Sequence, residues 1–490
     1  MKRNIIILIA ALVWFMQGQS LEAQDIKLPL TPVGKVATAF FEAFNAKDEE
    51  LMKEFTAQYR TESALKRIPL ESRMVQHRQI KGMMQRLSPR KVTASSDQSL
   101  TVLVYSNALQ AWFETSFVMS EIEPGKLENF GLKPSTAPEE GADEGFGEWS
   151  SLQELLENVV EQHDIPGLSM AVIENGKLAD AAVAGIRQKG KEDKVKLDDR
   201  FHIGSITKSM TATLIGRLVQ EGKLKPESTL KELFPEVKML PVYEAVTIEQ
   251  LLHHRAGIPA YLTVTETEEA QLLSLPGNPV EQRMAFAKRV LNEEPSSEPG
   301  TAFSYSNAGY ALLGTIAEKL YGKAWAVLLE EIIFVPLSMH TAGTNWPRSK
   351  ARPNEPAGHF NAPDARVQRI DEYELGAYIE PAGDVHASMQ DLARYALAHM
   401  NGVNGKSGIL NADTFQWLHS PKPGQNYAAG WLVSKPDDVT VHEHSGSAGT
   451  FLAIMMIEPE NNRGWVIAAN TGSMALDGIF RKVIEAWKNR

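Results

Sequence analysis

A serine and a lysine three residues apart lie near the middle of the chain, in the segment FHIGSITKSM at residues 201–210. Ser205 is a candidate nucleophile, and Lys208 is a candidate base for its proton. The pair is equally compatible with a helix N-cap followed by a surface lysine, because serine is among the best N-cap residues. The S-x-x-K spacing alone does not decide between these roles, since it occurs again at Ser63–Lys66, Ser88–Lys91 and Ser228–Lys231.

The residues that follow Ser205 separate it from the other matches. The run SITKSMTATLIGRLVQEGK is apolar on almost every face of its first turns, which is typical of a helix buried in the centre of a domain. Ser63 and Ser88 fall in the N-terminal region, which is predicted to be a separate small domain. Ser228 is predicted to cap a short helix after Pro226. Only Ser205 therefore combines the spacing with a buried helix.

The chemistry of the pair follows from this helix. Residues three apart share one helix face with Cβ atoms about 5–6 Å apart, so Lys208 can reach the Ser205 hydroxyl. A lysine buried in the first turn is costly unless it is used. Burial and the helix N-terminus both favour the neutral amine, which can accept the serine proton. The free N–H groups of the same N-terminus can stabilise an oxyanion.

Two more elements carry residues that could take part in such a reaction. Tyr305, Ser306 and Asn307 form a loop that precedes a second buried helix. The stretch HEHSGSAGTF contains His444 and Gly446 and leads into a C-terminal hairpin, and glycine there allows a close backbone approach. The letters Tyr-Ser-Asn also occur at residues 105–107, but at the end of a strand and upstream of the serine.

The order S-x-x-K, Y-S-N and H-x-G resembles the serine β-lactamase and penicillin-binding-protein superfamily, and most closely its class C and D,D-carboxypeptidase-like branch. The resemblance covers about residues 150–490. Other stretches fit the same family, among them IPGLSMAVIENGK, TIEQLLHHRAGIP, PAGDVHASMQDLARY and YAAGWLV. The implied fold is an α+β antiparallel sheet flanked by helices, together with an all-helical cluster.

The resemblance also implies a role for each matching residue. Ser205 would be the acylated nucleophile, Lys208 its proton acceptor, and Tyr305 the acid and base that serves the leaving group. Asn307 would hydrogen-bond the substrate. The backbone N–H groups of Ser205 and of Ser447, the residue after His444-x-Gly446, would form the oxyanion hole.

His444 stands where many members of the family have lysine. A histidine of ordinary pKa, about 6.5, is charged only in part near neutral pH. We therefore expect binding of a carboxylate-bearing β-lactam or peptide to weaken from about pH 6 to about pH 8. The resemblance implies that His at this position accompanies peptidase-like and esterase-like members, which argues against β-lactamase activity. The alternative is a purely structural His444. For four other histidines a loop or core role is predicted, namely His253, His254, His359 and His442.

Composition bounds the class of protein. The chain has 490 residues, 43% of them hydrophobic and 23% charged, which predicts two to three ordinary globular domains. A net charge of −11 without a basic stripe argues against a nucleic-acid partner. The absence of cysteine excludes disulfides, thiol catalysis and Cys-ligated zinc.

The first 23 residues are predicted to be a signal peptide. Lys2 and Arg3 precede the apolar run from Ile5 to Met16, and Leu21-Glu22-Ala23 resembles a cleavage site. A membrane anchor is the alternative, but the apolar run is shorter than the ~20 residues of a spanning helix. We expect a periplasmic or secreted protein without stable membrane insertion after cleavage.

Residues 32–134 are predicted to form a small α+β accessory domain. Its helices precede a strand meander, an order that is similar to the cone-shaped NTF2-like domains. A linker at 135–149 leads to the second domain, 150–490. In that domain Asn175-Gly176 predicts a type I′ hairpin, and apolar strands at both ends predict one sheet built from the two termini. A last helix is expected from about 474 to 489.

The motifs and the resemblance together predict an exported serine hydrolase that works through an acyl-enzyme, without metal or organic cofactor. Its substrate is expected to be a small peptide, amide or ester, and a peptide containing a D-amino acid is favoured. The alternatives are an esterase or β-lactamase of the same fold, and a non-hydrolytic sensor of cell-wall peptide or β-lactam. Specificity is expected in the loops between residues 260 and 294.

Overall fold

The computed structural model describes most of the chain. The predicted signal peptide lies outside the described residues, and so does most of the predicted linker. No helix among the described residues is long and apolar enough to cross a membrane. The described residues are 26–67, 70–106, 111–135, 145–262, 266–360, 366–370, 372, 374–473 and 476–490.

The N-terminal part consists of four helices followed by four strands. The strands form an antiparallel sheet in the order β1-β2-β3-β4. The apolar stripe of the first helix is buried, and Phe40 packs on Phe117 and Phe130 of the sheet. The elements are α1 (Pro32–Asn45), α2 (Glu50–Tyr59), α3 (Glu62–Arg67), α4 (Leu70–Met84), β1 (Ser88–Ser95), β2 (Ser99–Ser106), β3 (Ala111–Met119) and β4 (Leu127–Ser135). The likeness to NTF2-like domains stays a prediction.

The main sheet of the second domain joins strands from both of its ends. Its order is β10-β11-β12-β13-β5-β6, and every neighbouring pair is antiparallel. The prediction of one sheet from the two termini is therefore confirmed. The strands are β5 (Gly167–Glu174), β6 (Lys177–Gly185), β10 (Leu432–Ser434), β11 (Val441–Ser447), β12 (Leu452–Glu458) and β13 (Arg463–Ala469), with the short β7 (Phe201–His202), β8 (Gly343–Thr344) and β9 (Val385–Ala387) in a second sheet.

The predicted hairpin turn between β5 and β6 has the expected backbone. Asn175 has φ 52° and Gly176 has φ 70°, the positive values that a type I′ turn requires. The last helix begins at Leu476, and it buries Val483, Ile484 and Trp487 against the sheet. The two residues before it, 474–475, lie outside the described part of the chain.

The helices of the second domain cover both faces of the main sheet and form a helical cluster beside it. They are α5 (Leu152–His163), α6 (Thr207–Gln220), α7 (Leu230–Leu233), α8 (Pro241–Glu244), α9 (Ile248–Leu252), α10 (Glu266–Leu273), α11 (Pro279–Val290), α12 (Asn307–Tyr321), α13 (Trp325–Leu329, continued by a π-helical turn at Glu330–Phe334), α14 (Glu380–Gly383), α15 (Met389–Val403), α16 (Ala412–Leu418) and α17 (Leu476–Lys488). Helices α6 and α12 are buried along most of their length, as their apolar sequences predict.

Candidate active site

Ser205 lies in a single 3₁₀ turn, Gly204–Ile206, that connects β7 to α6. Strand β7 pairs with β9, and Ile203 N–H donates to the Val385 carbonyl at 2.9 Å, which holds the chain just before the turn. The N-cap position of α6 is Ile206, and no side chain caps this helix. The Ser205 hydroxyl is therefore not used as a helix cap, the alternative that its sequence left open.

The other S-x-x-K matches lie elsewhere. Ser63 is on α3 and Ser88 begins β1, both in the N-terminal part. Ser228 precedes α7, but the prediction that it caps this helix is wrong. Thr229 is the N-cap, and its hydroxyl and Glu232 form a capping box, while the Ser228 hydroxyl accepts the Lys225 N–H at 3.2 Å.

Lys208 is completely buried at the start of α6. Its Nζ lies 3.0 Å from Ser205 Oγ, 2.8 Å from Asn307 Oδ1 and 2.7 Å from the Ala382 carbonyl oxygen. The rings of Tyr305 and Tyr310 are also close, with centroids 4.8 and 5.8 Å from Nζ. Three separate elements, α6, α12 and α14, thus meet at this amine.

The partners of Nζ can be satisfied by a neutral amine. The Ala382 carbonyl can only accept a hydrogen bond. Asn307 Nδ2 donates to the Tyr261 carbonyl at 3.0 Å, so Oδ1 must be the atom that faces Lys208, and it also can only accept. A neutral amine can donate its two N–H groups to these two acceptors, and its remaining lone pair can accept the Ser205 hydroxyl proton.

The surroundings of Lys208 disfavour its charged form. Burial lowers its pKa well below the usual 10.5. Within the described part of the chain, no carboxylate lies within ion-pair distance of Nζ. A neutral Lys208 hydrogen-bonded to Ser205 is the arrangement that nucleophilic catalysis by serine requires.

Tyr305 lies on the loop before α12, with its ring beside the Lys208 amine. Burial raises the pKa of its phenol, and a hydrogen bond with the Ser205 side chain opposes this shift only in part. The phenol is therefore protonated at neutral pH. Its hydrogen bond with Ser205 allows a proton to pass between the two side chains.

Asn307 has a positioning contact that its sequence motif does not reveal. The resemblance assigned this residue to substrate binding. In the structure its amide bridges Lys208 Nζ and the Tyr261 carbonyl, so it links α6 to the loop after α9. Both contacts hold the lysine amine beside Ser205.

The end of β11 packs directly on the backbone of the nucleophile turn. A Cβ on Gly446 would overlap the Ile203 carbonyl and would lie 2.5 Å from the Ser205 nitrogen. A Cβ on Gly204, which has φ 51°, would lie 2.5 Å from the Ser447 nitrogen. Only glycine fits either position, and this close approach brings together the two residues predicted to supply the oxyanion hole.

His444 differs from the sequence-based expectation. It is 8% exposed, its Nε2 lies 3.0 Å from the Tyr427 hydroxyl, and its Nδ1 lies 2.6 Å from the Ser445 carbonyl oxygen. A carbonyl only accepts, so Nδ1 carries the proton and Nε2 accepts from Tyr427. Burial lowers the pKa of His444 to about 4. The prediction that His444 titrates between about pH 6 and 8 is wrong, because the ring is buried and neutral.

Sequence reasoning missed Ala382 and Tyr310. Ala382 contributes a backbone carbonyl, and Tyr310 and Tyr427 form part of a ring cluster around Tyr305. The PAGD and YAAGWLV stretches that carry Ala382 and Tyr427 were the available signals. Among the residues that the structure describes, no group of three His, Cys, Asp or Glu side chains could hold a metal ion.

The second domain of this chain is similar to known proteins. A family model described as Beta-lactamase matches residues 152–483. Penicillin-binding protein 4 of Amycolatopsis lactamdurans is 25% identical over 348 residues, which are 68% of this chain and 88% of that protein. Protein flp of Staphylococcus aureus (strain N315) is 25% identical over 327 residues, which are 66% of this chain but only 63% of that protein.

A solved structure shares the fold of the same region. The D-amino acid amidase from Ochrobactrum anthropi SV3, complexed with L-phenylalanine amide, superposes with a TM-score of 0.56 at 24% sequence identity. The superposition covers 69% of this chain and 97% of the amidase. The fold predicted from the three ordered motifs is thereby confirmed for the second domain.

Proposed function

This chain belongs to the beta-lactamase family of serine hydrolases, and on that premise we propose that it hydrolyses peptide, amide or ester bonds through an acyl-enzyme on Ser205. A peptide containing a D-amino acid is the favoured substrate. The solved amidase is named for D-amino acid substrates, and this name is the reason to include D-amino acid amides among the compounds to be tested.

One observation carries the proposal. The Lys208 amine has two partners that can only accept, Asn307 Oδ1 and the Ala382 carbonyl, and a third partner, Ser205 Oγ, that can donate. When the amine is neutral, its two N–H groups bind these acceptors and its lone pair is left for the serine proton. A surface lysine one turn after a helix cap would have neither the burial nor the two fixed acceptors.

The reaction follows from these contacts. As Ser205 Oγ attacks the substrate carbonyl, its proton moves to Lys208 Nζ, and the resulting ammonium keeps its bonds to Asn307 and Ala382. The oxyanion lies between the N–H groups of Ser205 and Ser447. Tyr305 donates its proton to the leaving group and regains one from the Lys208 ammonium, which returns Lys208 to the neutral amine. Water then attacks the ester of Ser205, its oxygen joins the released acid, and one of its protons passes to Ser205 Oγ, which restores the free enzyme.

Esterase activity is the second candidate, because the residue at the family's lysine position is neutral. With a pKa of about 4, His444 offers no positive charge to a substrate carboxylate at neutral pH. An uncharged ester or amide needs no such partner. A β-lactam or a peptide ending in a carboxylate would lose this ionic contact.

Export is a separate part of the proposal and rests on residues 1–23 alone. Cleavage after Ala23 would leave a mature protein that begins at Gln24. Sequencing the N-terminus of the protein recovered from its native cell tests this. An intact N-terminus held in the membrane would favour the anchor instead.

A turnover panel tests the proposed activity. The panel contains D-Ala-D-Ala peptides, D-amino acid amides, short-chain nitrophenyl esters and a chromogenic cephalosporin. We expect turnover of at least one class by the wild type, and a loss of several orders of magnitude in Ser205→Ala. Ser228→Ala is the matched control, since it removes the serine of an S-x-x-K match outside the site.

Each outcome of the panel has a distinct meaning. Turnover of esters alone would favour the esterase, and turnover of the cephalosporin would favour a β-lactamase. A stable adduct on Ser205 without turnover of any class would favour the sensor. Equal turnover by the wild type and Ser205→Ala would overturn the assignment of the nucleophile.

A further inference from the structure

His254, in the loop after α9, contacts the backbone on both sides of Tyr305. The carbonyl oxygen of His254 accepts the Ser304 N–H at 2.8 Å. Its Nδ1 accepts the Ser306 N–H at 3.1 Å. The residue before Tyr305 and the residue after it are therefore bound to the same histidine, which is only 2% exposed.

The His254 ring also packs on the Tyr305 side chain. The two ring centroids are 4.3 Å apart, with an angle of 38° between the planes. Tyr427, Tyr310 and Phe303 surround the remaining faces of the imidazole, at 4.8, 5.0 and 5.7 Å. Backbone hydrogen bonds and ring packing thus restrict Tyr305 together.

The backbone of His254 is unusual for its residue type. Its φ is 54°, in the left-handed region that residues with a Cβ avoid. This conformation lets the carbonyl oxygen and Nδ1 of one residue both face the Tyr305 loop. Strained backbone of this kind persists where the surrounding contacts require it, and it is frequent at active sites.

The hydrogen bonds determine the tautomer of His254. Because Nδ1 accepts the Ser306 N–H, the ring proton is on Nε2. Nε2 has no hydrogen-bond partner among the described residues, although it is buried. Burial holds the pKa of His254 well below its usual value. A protonated Nδ1 could not accept from Ser306, so the neutral ring is the form that keeps the loop bound.

We propose that His254 is a positioning residue that holds the Tyr305 phenol in line with Ser205 and the leaving group. The inference rests on the proposed function, since Tyr305 needs positioning only if it transfers a proton. A histidine with a merely structural role would change stability and leave the chemistry of the leaving group unaffected. These two roles can be separated by experiment.

The test compares leaving groups. The acyl group that the wild type hydrolyses fastest is prepared as its nitrophenyl ester, whose leaving group needs no proton, and as its ethyl ester, whose leaving group does. In His254→Ala we expect kcat/KM for the ethyl ester to fall about 10- to 100-fold, the cost of misplacing a catalytic group by about 1 Å. The nitrophenyl ester should lose less than about threefold, because its departure does not use Tyr305.

Two further variants complete the experiment. His254→Asn keeps a hydrogen-bond acceptor and tolerates the left-handed backbone, so it should recover most of the ethyl ester activity. His359→Ala is the matched control. His359 is also buried, and its Nε2 accepts the Lys189 N–H at 3.0 Å, but it does not contact Tyr305. It should lower the melting temperature without changing the ratio of the two kcat/KM values.

Three results would overturn the inference. One is an equal loss for both esters in His254→Ala, and another is no loss at all. The third is a change in the ratio for His359→Ala as large as that for His254→Ala. If Ser205→Ala hydrolyses both esters like the wild type, the proposed function itself fails. If Ser205→Ala is inactive while the ratio in His254→Ala is unchanged, only the role of His254 is wrong.

Discussion

Replacing Lys208 by methionine tests whether the buried amine is neutral in the folded protein. Methionine keeps the length and the apolar stem of the side chain but cannot titrate or accept the serine proton. We expect acylation of Ser205 to fall by about 10²- to 10⁴-fold, the range that general-base catalysis contributes. A loss of activity does not report the charge of the lysine, so the decisive measurement is stability as a function of pH.

The sign and size of that effect follow from burial. Unfolded Lys208 has a pKa near the usual 10.5, whereas the folded pKa lies well below it. Between these two values the unfolded lysine binds one proton more than the folded one, so acid favours unfolding. The free energy of unfolding of the wild type should therefore rise with pH, relative to that of Lys208→Met, by about 1.4 kcal/mol per pH unit.

Urea unfolding at about pH 8 and about pH 9.5 measures this difference in slope. Trp325 is a suitable fluorescent reporter, because its buried Nε1 donates to Thr211 Oγ1 on α6 at 3.0 Å. The hydrogen bonds that methionine cannot make shift the stability of the variant equally at both pH values. Parallel pH dependence of the two proteins would mean that Lys208 has the same charge folded and unfolded, and it would refute the neutral-base reasoning.

Three other predictions concern the neighbours of this lysine. Asn307→Asp places a carboxylate beside Lys208 Nζ, and this charge raises the pKa of Lys208. The acid limb of kcat/KM against pH should therefore move to higher pH. An unmoved limb would contradict the contact between residue 307 and Lys208. Gly446→Ala introduces a Cβ that overlaps the Ile203 carbonyl and lies 2.5 Å from the Ser205 nitrogen. It should slow fluorophosphonate labelling more than about 100-fold, and labelling at the wild-type rate would exclude this approach of β11. Because the pKa of His444 is about 4, its charge does not change at neutral pH. KM for a carboxylate-bearing substrate should therefore vary less than about twofold between about pH 6 and pH 8. A tenfold rise over this range would show that His444 gains and loses its proton near neutral pH.

Local sequence patterns predicted the elements whose residues are close along the chain. The burial of α6 followed from its apolar faces, and with it the unusual position of Lys208. The positive φ values of Asn175 and Gly176 followed from turn chemistry. In these cases the physical cause lies within one helix or one turn, and the sequence of that segment is enough to reveal it.

Contacts between distant segments were not predictable in the same way. Lys208 binds the carbonyl of Ala382, and a backbone carbonyl has no signature in the sequence. The neutrality of His444 depends on burial beside Tyr427, which only the assembled fold provides. His254 was expected to have only a loop or core role. Its contacts with the Tyr305 loop depend on a left-handed backbone conformation, which the residue type does not reveal.

Mapping the site of a covalent adduct tests the central claim most directly. The protein is labelled with a fluorophosphonate at neutral pH, digested, and analysed by mass spectrometry. We expect one adduct, on Ser205, that is lost in Ser205→Ala and retained in Ser228→Ala. An adduct on Ser306 or Ser447, or an adduct that persists in Ser205→Ala, would contradict it.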